Sequence, residues 1–407
     1  LPARSPTVFI SGSRVTICGI FYFSVSLFSC RAAEPFAYEL LEDGTAVLTA
    51  YTGRSTEVVI PAELGGVPVR EIGEEAFLGC ERITKVTIPE GITRIGNYAF
   101  EYCSSLAVVE LPESLLEIGY GAFKNCAALR EMVLPENIYD LDSCIFENCI
   151  SLEHVVFPEK ITRVPKGTFK NCTSLREAVL AAETKGVLEA AFSGCTNLQA
   201  FGAAKSFGFV SDYAFEGCAG LQDFTFEGGT LTVGAGAFSG CRNLNRVRFI
   251  GDFNESAIQW GAFYGCSALP SAVLPEGIYR IEGYAFAACP NLKTLWMPDG
   301  FYYIGSHLLA GCGSFETMYV QEGSSAFSYA ILHEIPYKIR ALLYGDVDRN
   351  GEINGIDAGL LLQYLADWDV LLDLAAADVN CDGKVNGIDV SMILQYLADW
   401  DIELGKP

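Results

Sequence analysis

Histidine is nearly absent from this chain, with three in 407 residues: His154, His307 and His333. They stand far apart in the sequence, so no imidazole cluster is in view for acid–base or metal chemistry. Positive charge is also scarce: 27 Lys and Arg face 50 Asp and Glu, a formal net charge of -23. Such a surface has no basic face to release counterions from phosphate, which argues against nucleic acid and against an anionic membrane surface as partners. No C-x-x-C pair occurs, so the convergent thiolates of a closed metal site are missing. Neither a nucleophile elbow nor a phosphate-cradling Gly loop is present. The apolar stretch from Val15 to Ser29 is short for a bilayer span, and no later run is long enough.

That early stretch reads as an export signal. Arg4 and Arg14 precede it, and a small-residue site follows at Cys30-Arg31-Ala32-Ala33. The pattern predicts a cleaved secretory signal over 1–33, with cleavage near Ala32 or Ala33, and an extracellular mature chain.

What the chain has in quantity is regularity. Eleven of its 15 cysteines recur almost evenly, at Cys80, Cys103, Cys126, Cys149, Cys172, Cys195, Cys218, Cys241, Cys266, Cys289 and Cys312. Each step is 23 residues except one of 25, between Cys241 and Cys266. A fixed period of this size means a solenoid whose units stack only on their neighbours. In the unit ending at Cys126, Val109-Glu110-Leu111 alternates as a short strand, and Pro112 ends it for want of a ladder donor. Leu116-Glu117-Ile118 reads as a second extended piece. Gly119 turns the chain, and Ala122 to Cys126 reads as a tight helical turn that points Phe and Cys inward.

The same offsets return throughout. Phe stands three before Cys at Phe77, Phe100, Phe123, Phe146, Phe169, Phe192, Phe215, Phe238, Phe263 and Phe286, and Leu309 takes the place in the last unit. An apolar residue stands three after every Cys, from Ile83 to Phe315. The sequence therefore predicts continuous inward columns of Phe, Leu and Cys. Two readings of the cysteines stand at this point. Stacked strands about 4.8 Å apart lie within disulfide reach, yet bridges along a column of parallel side chains would strain it. Buried free thiols acting as small apolar residues are the simpler expectation. In the middle units Ala181 and Ala204 replace the proline and Thr184 replaces an apolar residue, which predicts local irregularity there.

The V-x-L core with its P-x-x-L-x-x-I-G-x-x-A-F-x-x-C continuation resembles a leucine-rich repeat of the BspA-like type found in bacterial surface proteins. The resemblance spans roughly residues 70 to 320 and implies an α/β solenoid of about eleven 23-residue units. Its ends look like caps. Asp43-Gly44 between apolar runs signals a hairpin within Tyr38 to Tyr51, Ser324 to His333 a short helix, and Pro336 to Ile339 a last strand. The expected organisation is a cap over 34–69 and a solenoid with its second cap over 70–343, followed by a separate module over 344–407.

That last module opens with two related loops. In the first, Asp346, Asp348, Asn350, Glu352, Asn354 and Asp357 take positions one, three, five, seven, nine and twelve. In the second the series is Asp378, Asn380, Asp382, Lys384, Asn386 and Asp389, with Gly351 and Gly383 at the sharp turns. This is the oxygen-ligand spacing of a calcium loop, and it predicts two bound ions; a pair of Asp/Asn-rich turns is the plainer alternative. Position twelve is Asp rather than Glu, so its reach is shorter. Each loop leads into a helix with apolar spacing, at Leu361, Tyr364 and Leu365, then at Ile393, Tyr396 and Leu397. No entering helix precedes either loop, so these are paired half EF-hands in a small α-helical unit.

Loop–helix duplication of this kind resembles a type I dockerin, the plug that joins secreted proteins to a cohesin domain on a cellulosome-like scaffold. The resemblance implies cohesin contacts at Gly355, Ile356, Leu362 and Gln363, and by symmetry at Gly387, Ile388, Leu394 and Gln395. It also implies two binding orientations related by half a turn. The alternative is that both isoleucines pack in the module's own core.

Repeats and caps occupy the chain from about residue 36 to 343, which leaves no stretch of catalytic-domain length. The sequence thus predicts a non-catalytic, secreted binding or adhesion protein with a protein or polysaccharide ligand. An accessory or hydrolase component of polysaccharide degradation is the alternative. Outward strand positions give the candidate ligand face: His154, Asp223, Arg246, Arg248, Trp296 and Tyr319. Arg246 and Arg248 would make a basic spot, and Trp296 with Tyr319 an aromatic platform. A solvated strand face with scattered aromatics is the other reading.

Overall fold

The computed structural model describes residues 31–33, 35–202, 207–229, 231–339, 344–347, 353–366, 370, 372, 374–398 and 404–405. Most of the expected signal segment lies outside these residues. Its last three, Arg31–Ala33, pair antiparallel with Phe36–Leu40, so cleavage after Ala33 would remove an edge strand. The next hairpin pairs Phe36–Leu40 with Ala46–Tyr51, and Asp43 closes its turn by accepting from the Thr45 N–H and hydroxyl. From there the chain coils as the period demands.

Each unit contributes one rung to each of two parallel sheets. One sheet starts at the hairpin and continues through Val67–Ile72, Arg94–Ile95, Glu117–Ile118 and Asp140–Leu141, then resumes from Arg163–Val164 to Tyr303–Ile304. The other, the strand face, runs from Glu57–Val59 to Tyr337–Ile339 in four segments. The third side of each unit is the turn carrying Phe and Cys. Helix α1, Ser325–Leu332, caps the far end, with Ser324 accepting from the Phe327 N–H.

The Phe column is continuous. Neighbouring rings from Phe77 to Phe286 lie 4.8–5.8 Å apart and within 20° of parallel. Burying each ring stabilises the stack by roughly 1.5–3 kcal/mol. The thirteen described cysteines are free thiols, as the simpler reading held. Their geometry adds a role that apolar packing alone does not give. Ten of them, Cys103 through Cys312, donate Sγ–H to the carbonyl of a Phe one unit back, at 3.0–3.3 Å. Thiol and ring thus bind adjacent units through the same residue. The turn requires a left-handed residue just before each Cys. Asn125, Asn148 and Asn171 supply it at φ 61–62° and bond amide to amide up the column, at 2.8 and 2.9 Å.

The sheets are interrupted at identifiable rungs. Asp142 N–H donates to Ile118 and Leu188 N–H to Val164 at one ladder position, but Pro165 stands there in the unit between and has no N–H. The first sheet breaks at that point. Pro270 does the same between Arg246–Phe253 and Ser271–Val273 on the strand face. Irregularity also falls in the middle units, as expected: the register shifts between Glu177 and Leu180, and pairing lapses after Ala200–Gly202. A further break, between Val108–Glu110 and Glu131–Val133, has no proline to explain it.

A second, smaller core holds the C-terminal module together, built on Val347, Ala358, Leu361, Ala377, Val379, Val390 and Ile393. Helices α2, Gly355–Leu365, and α4, Gly387–Leu397, follow the two loops; contrary to the expectation that no helix enters either loop, the short α3, Leu374–Ala377, ends directly before Asp378. Leu361 and Ile393 are buried as their spacing predicts, but Tyr364, Leu365, Tyr396 and Leu397 are exposed. Only one face of each helix meets the small core.

Candidate functional site

On the strand face the ladder fixes which candidates meet. His154 lies beside Glu177, with Nε2 3.6 Å from its carboxylate. Arg246 lies beside Asp223 and reaches it at 3.6 Å, so the expected basic spot is half neutralised, while Arg248 lies opposite Thr225 and stays exposed. Both pairs are open to water and contribute about 0–1 kcal/mol each. At the N-terminal end Lys85 grips Glu110 at 2.6 Å; this ammonium, aided by the Thr87 hydroxyl, holds the Glu110 carboxyl below its ordinary pKa.

Trp296 and Tyr319 are neighbours, their rings 3.9 Å apart and 12° from parallel, and Lys338 Nζ lies 5.9 Å from the Tyr319 ring centre. They stack along the column rather than side by side, and Trp296 is only 9% exposed. The stack therefore offers Tyr319 and ring edges to solvent, not two open faces. His307 stacks on Tyr284 and His333 lies against Tyr329, so each of the three histidines has its own separate neighbour.

Two features had no signal in the repeat pattern. One is a groove of about 580 Å³ over the first sheet near Phe209, Ser211 and Thr232, where the Arg163 guanidinium lies 5.4 Å from the Phe209 ring. The other is a cleft of about 790 Å³ at the unexplained strand-face break. Nothing in residue type marked either place.

In the C-terminal module the second loop is described in full. Asp378 accepts from the Asp382 and Gly383 N–H groups at 3.0 and 2.8 Å, Asn380 from Asp382 N–H, and Asp382 from Lys384 N–H. Asp389 is fully buried and accepts from Val379 N–H at 3.0 Å and Asn386 N–H at 2.9 Å. Asp357 does the same in the first loop, holding Val347 and Asn354 N–H at 2.9 and 2.8 Å. The short Asp at position twelve thus ties each loop's start to its helix, in a capping box with Asn354 or Asn386. Asp346 is buried; Asp348, Asn350 and Glu352 lie outside the described residues.

Among the described residues no three His, Cys, Asp or Glu side chains converge. A calcium loop also draws on an Asn oxygen and a backbone carbonyl, but three ligands here are Asp378, Asp382 and Asp389, and these carboxylates do not converge in this structure. The donor set, Asp378, Asn380, Asp382, the Lys384 carbonyl and Asp389, is wholly oxygen, so its chemistry fits a hard cation, and the loop's own amides already hold Asp378, Asn380 and Asp382 in a turn. When bound, the ion would supply the charge that lets these carboxylates share one small loop.

The helix faces beyond the loops are apolar and open. Ile356 is 62% exposed and Ile388 56%, and Leu362 and Leu394 are exposed likewise. Gly355 and Gly387 open the two helices at the surface, and Gln363 and Gln395 are half-buried. Neither isoleucine belongs to the module's own core.

A solenoid of short parallel rungs, ending in a module of paired calcium-type loops, defines a repeat-based binding protein with an attachment plug. The chain belongs to the family with a BspA type leucine rich repeat region, matched over residues 70–199 and 208–335. Residues 344–398 match the dockerin type I domain, whose members bind calcium and dock to cohesin. Both domain types are non-catalytic binding modules.

Among solved structures, the chain is similar to a leucine rich repeat protein of T. pallidum, at 31% identity over 53% of this chain and 90% of that one, TM-score 0.44. It is similar also to a leucine rich cell surface protein of Faecalibacterium prausnitzii, at 25% identity over 76% and 98%, TM-score 0.45. The pneumococcal vaccine antigen PcpA is similar at 16% identity over 77% and 99%, TM-score 0.48. No curated protein matches the chain. Among the described residues no helix is long and apolar enough to cross a membrane.

Proposed function

We propose that this is a secreted, non-catalytic recognition protein that docks to a cohesin on a cellulosome-like scaffold. In this reading each loop of the 344–407 module holds one calcium ion. The strand face presents His154, Arg246, Arg248 and Tyr319, with only the ring edge of the covered Trp296, to an extracellular protein or polysaccharide. The observation that carries the docking half is the duplicated pair of exposed apolar side chains, Ile356 with Leu362 and Ile388 with Leu394, on helices opened by identical capping boxes. Either helix can offer the same patch, which supports two cohesin orientations.

Capture of the full chain by an immobilised type I cohesin in calcium tests this. Ile356→Asp alone should weaken capture less than threefold, because the other half still engages. Ile356→Asp with Ile388→Asp should reduce it at least a hundredfold. Equal losses from the single and double variants would remove the two-orientation reading. Full capture of the double variant would remove the docking surface itself.

A further inference from the structure

We propose that the cleft between Val108–Glu110 and Glu131–Val133 is a receptor for an extended, lysine- or arginine-bearing peptide, which enters as an additional strand of the strand face. The proposal deepens the reading of the solenoid as a ligand-binding surface and rests on it.

The cleft is a rung that the fold prepares and leaves unjoined. In flanking units Ile88 N–H donates to the Glu110 carbonyl at 3.0 Å and Leu134 N–H to the Val156 carbonyl at 3.2 Å. Between them the same register would join Leu111 N–H to the Val133 carbonyl, and Arg130 N–H to the Ala107 carbonyl. Among the described residues neither bond is made, and no ladder links the two strands. Two strand edges with free donors and acceptors thus face one another across an opening of about 790 Å³. That volume falls within the range of ligand-holding clefts.

The opening is confined to this face. On the other sheet Glu117 and Asp140 remain paired, and Cys149 Sγ still meets the Phe123 carbonyl at 3.1 Å. The Phe123 and Phe146 rings, at 5.8 Å, are the most widely spaced pair of the column. The units part like a wedge, still stacked at the rings and unjoined at the strands. The wedge uncovers residues whose counterparts in the neighbouring units are buried. The middle residue of neighbouring strands, Val86, Met132 or Val155, is buried, whereas Val109 is only half-buried, as is Leu111.

Shape and charge select the occupant. The floor is Val109, Leu111, Leu134 and Pro135, which suits alternate apolar side chains of an extended segment. The rim carries Glu113, Glu131 and Glu136 against Arg130, while the fourth carboxylate, Glu110, is already held by Lys85 at 2.6 Å. Backbone pairing on both sides gives affinity without sequence, and the three carboxylates Glu113, Glu131 and Glu136 favour cationic side chains on the outward positions.

The test uses the full chain in calcium and a fluorescein-labelled decapeptide of alternating lysine and valine, read by anisotropy. Saturable binding is expected, with the Leu111 amide exchanging at least tenfold more slowly in the complex. A glutamate–valine decapeptide should bind at least tenfold more weakly, as should the lysine–valine peptide with every second amide N-methylated. The double variant Glu113→Lys with Glu131→Lys, both exposed positions, should lose at least tenfold while keeping the parent's thermal midpoint. Binding of the N-methylated peptide within threefold of its parent overturns strand insertion, and that arm uses the unaltered protein. Unchanged binding by the double variant overturns the acidic rim. Complete failure of the lysine–valine peptide removes this cleft alone, because cohesin capture of the same sample reports separately on docking.

Discussion

Replacing Phe169 with Ala tests whether the solenoid's cohesion resides in its ring column. The Phe169 side chain is fully buried, sandwiched between Phe146 at 5.6 Å and Phe192 at 5.2 Å, with Phe157 edge-on at 5.6 Å. Truncating such a ring costs about 3–5 kcal/mol, from lost transfer energy and from the cavity left behind. Domains are stable by about 5–15 kcal/mol, so the variant should fold yet lose a large share of its margin. In a stacked array the loss falls on two unit interfaces at once, which should uncouple the arms on either side.

The chain reports on this through its own residues. All four tryptophans, Trp260, Trp296, Trp368 and Trp400, lie beyond the middle of the sequence. Fluorescence therefore follows the C-terminal side, while far-ultraviolet circular dichroism follows the whole. In calcium-saturated urea titrations the parent's transition around Trp260 and Trp296 should coincide by both probes. Phe169→Ala should lower the midpoint and separate the two curves. Val133→Ala, at a side chain 65% exposed, should change stability by no more than about 0.5 kcal/mol. A loss below about 1 kcal/mol for Phe169→Ala, or two curves that stay superimposed, would refute the column as the coupling element.

Two further predictions concern the thiols and the ion. Burial pushes the Cys103 and Cys149 thiols up to about 12, above their unfolded value near 9. The folded state then binds more protons than the unfolded one in between, so stability is complete below pH 9 and falls as pH rises toward 12. Thermal midpoints that stay flat from pH 8 to 11 would contradict this. Chelation should melt α2 and α4, since the loops' carboxylates then repel one another without a counter-charge, and restored calcium should recover them. The solenoid's β signal should be unmoved by chelator; a joint collapse of both signals would show that the two cores are not independent.

The sequence displayed the column architecture because every rung repeats the same chemistry at the same offset. The Asp43-Gly44 hairpin, the Ser324 cap and both loop–helix units were legible for a similar reason: each is specified by a few local side chains. The breaks at Pro165 and Pro270 were written in the sequence as missing donors, but their meaning depends on knowing which residue's N–H carries the ladder. The cleft after Val108–Glu110 had no such mark. Its residues match the repeat, and the parting of two strands is a property of how units tilt rather than of any one side chain. The stacking of Trp296 on Tyr319 was hidden likewise. A period places both rings in one column, but it does not say that one ring will cover the other.

The thiol ladder has a consequence for where this protein can mature. A cysteine-rich exported chain ordinarily relies on an oxidising partner to join its thiols before it holds its shape. Here the sulfurs work as hydrogen donors behind a wall of rings, so the solenoid asks for no electron acceptor while folding. Its assembly would proceed equally well in oxygen-free and in aerated surroundings.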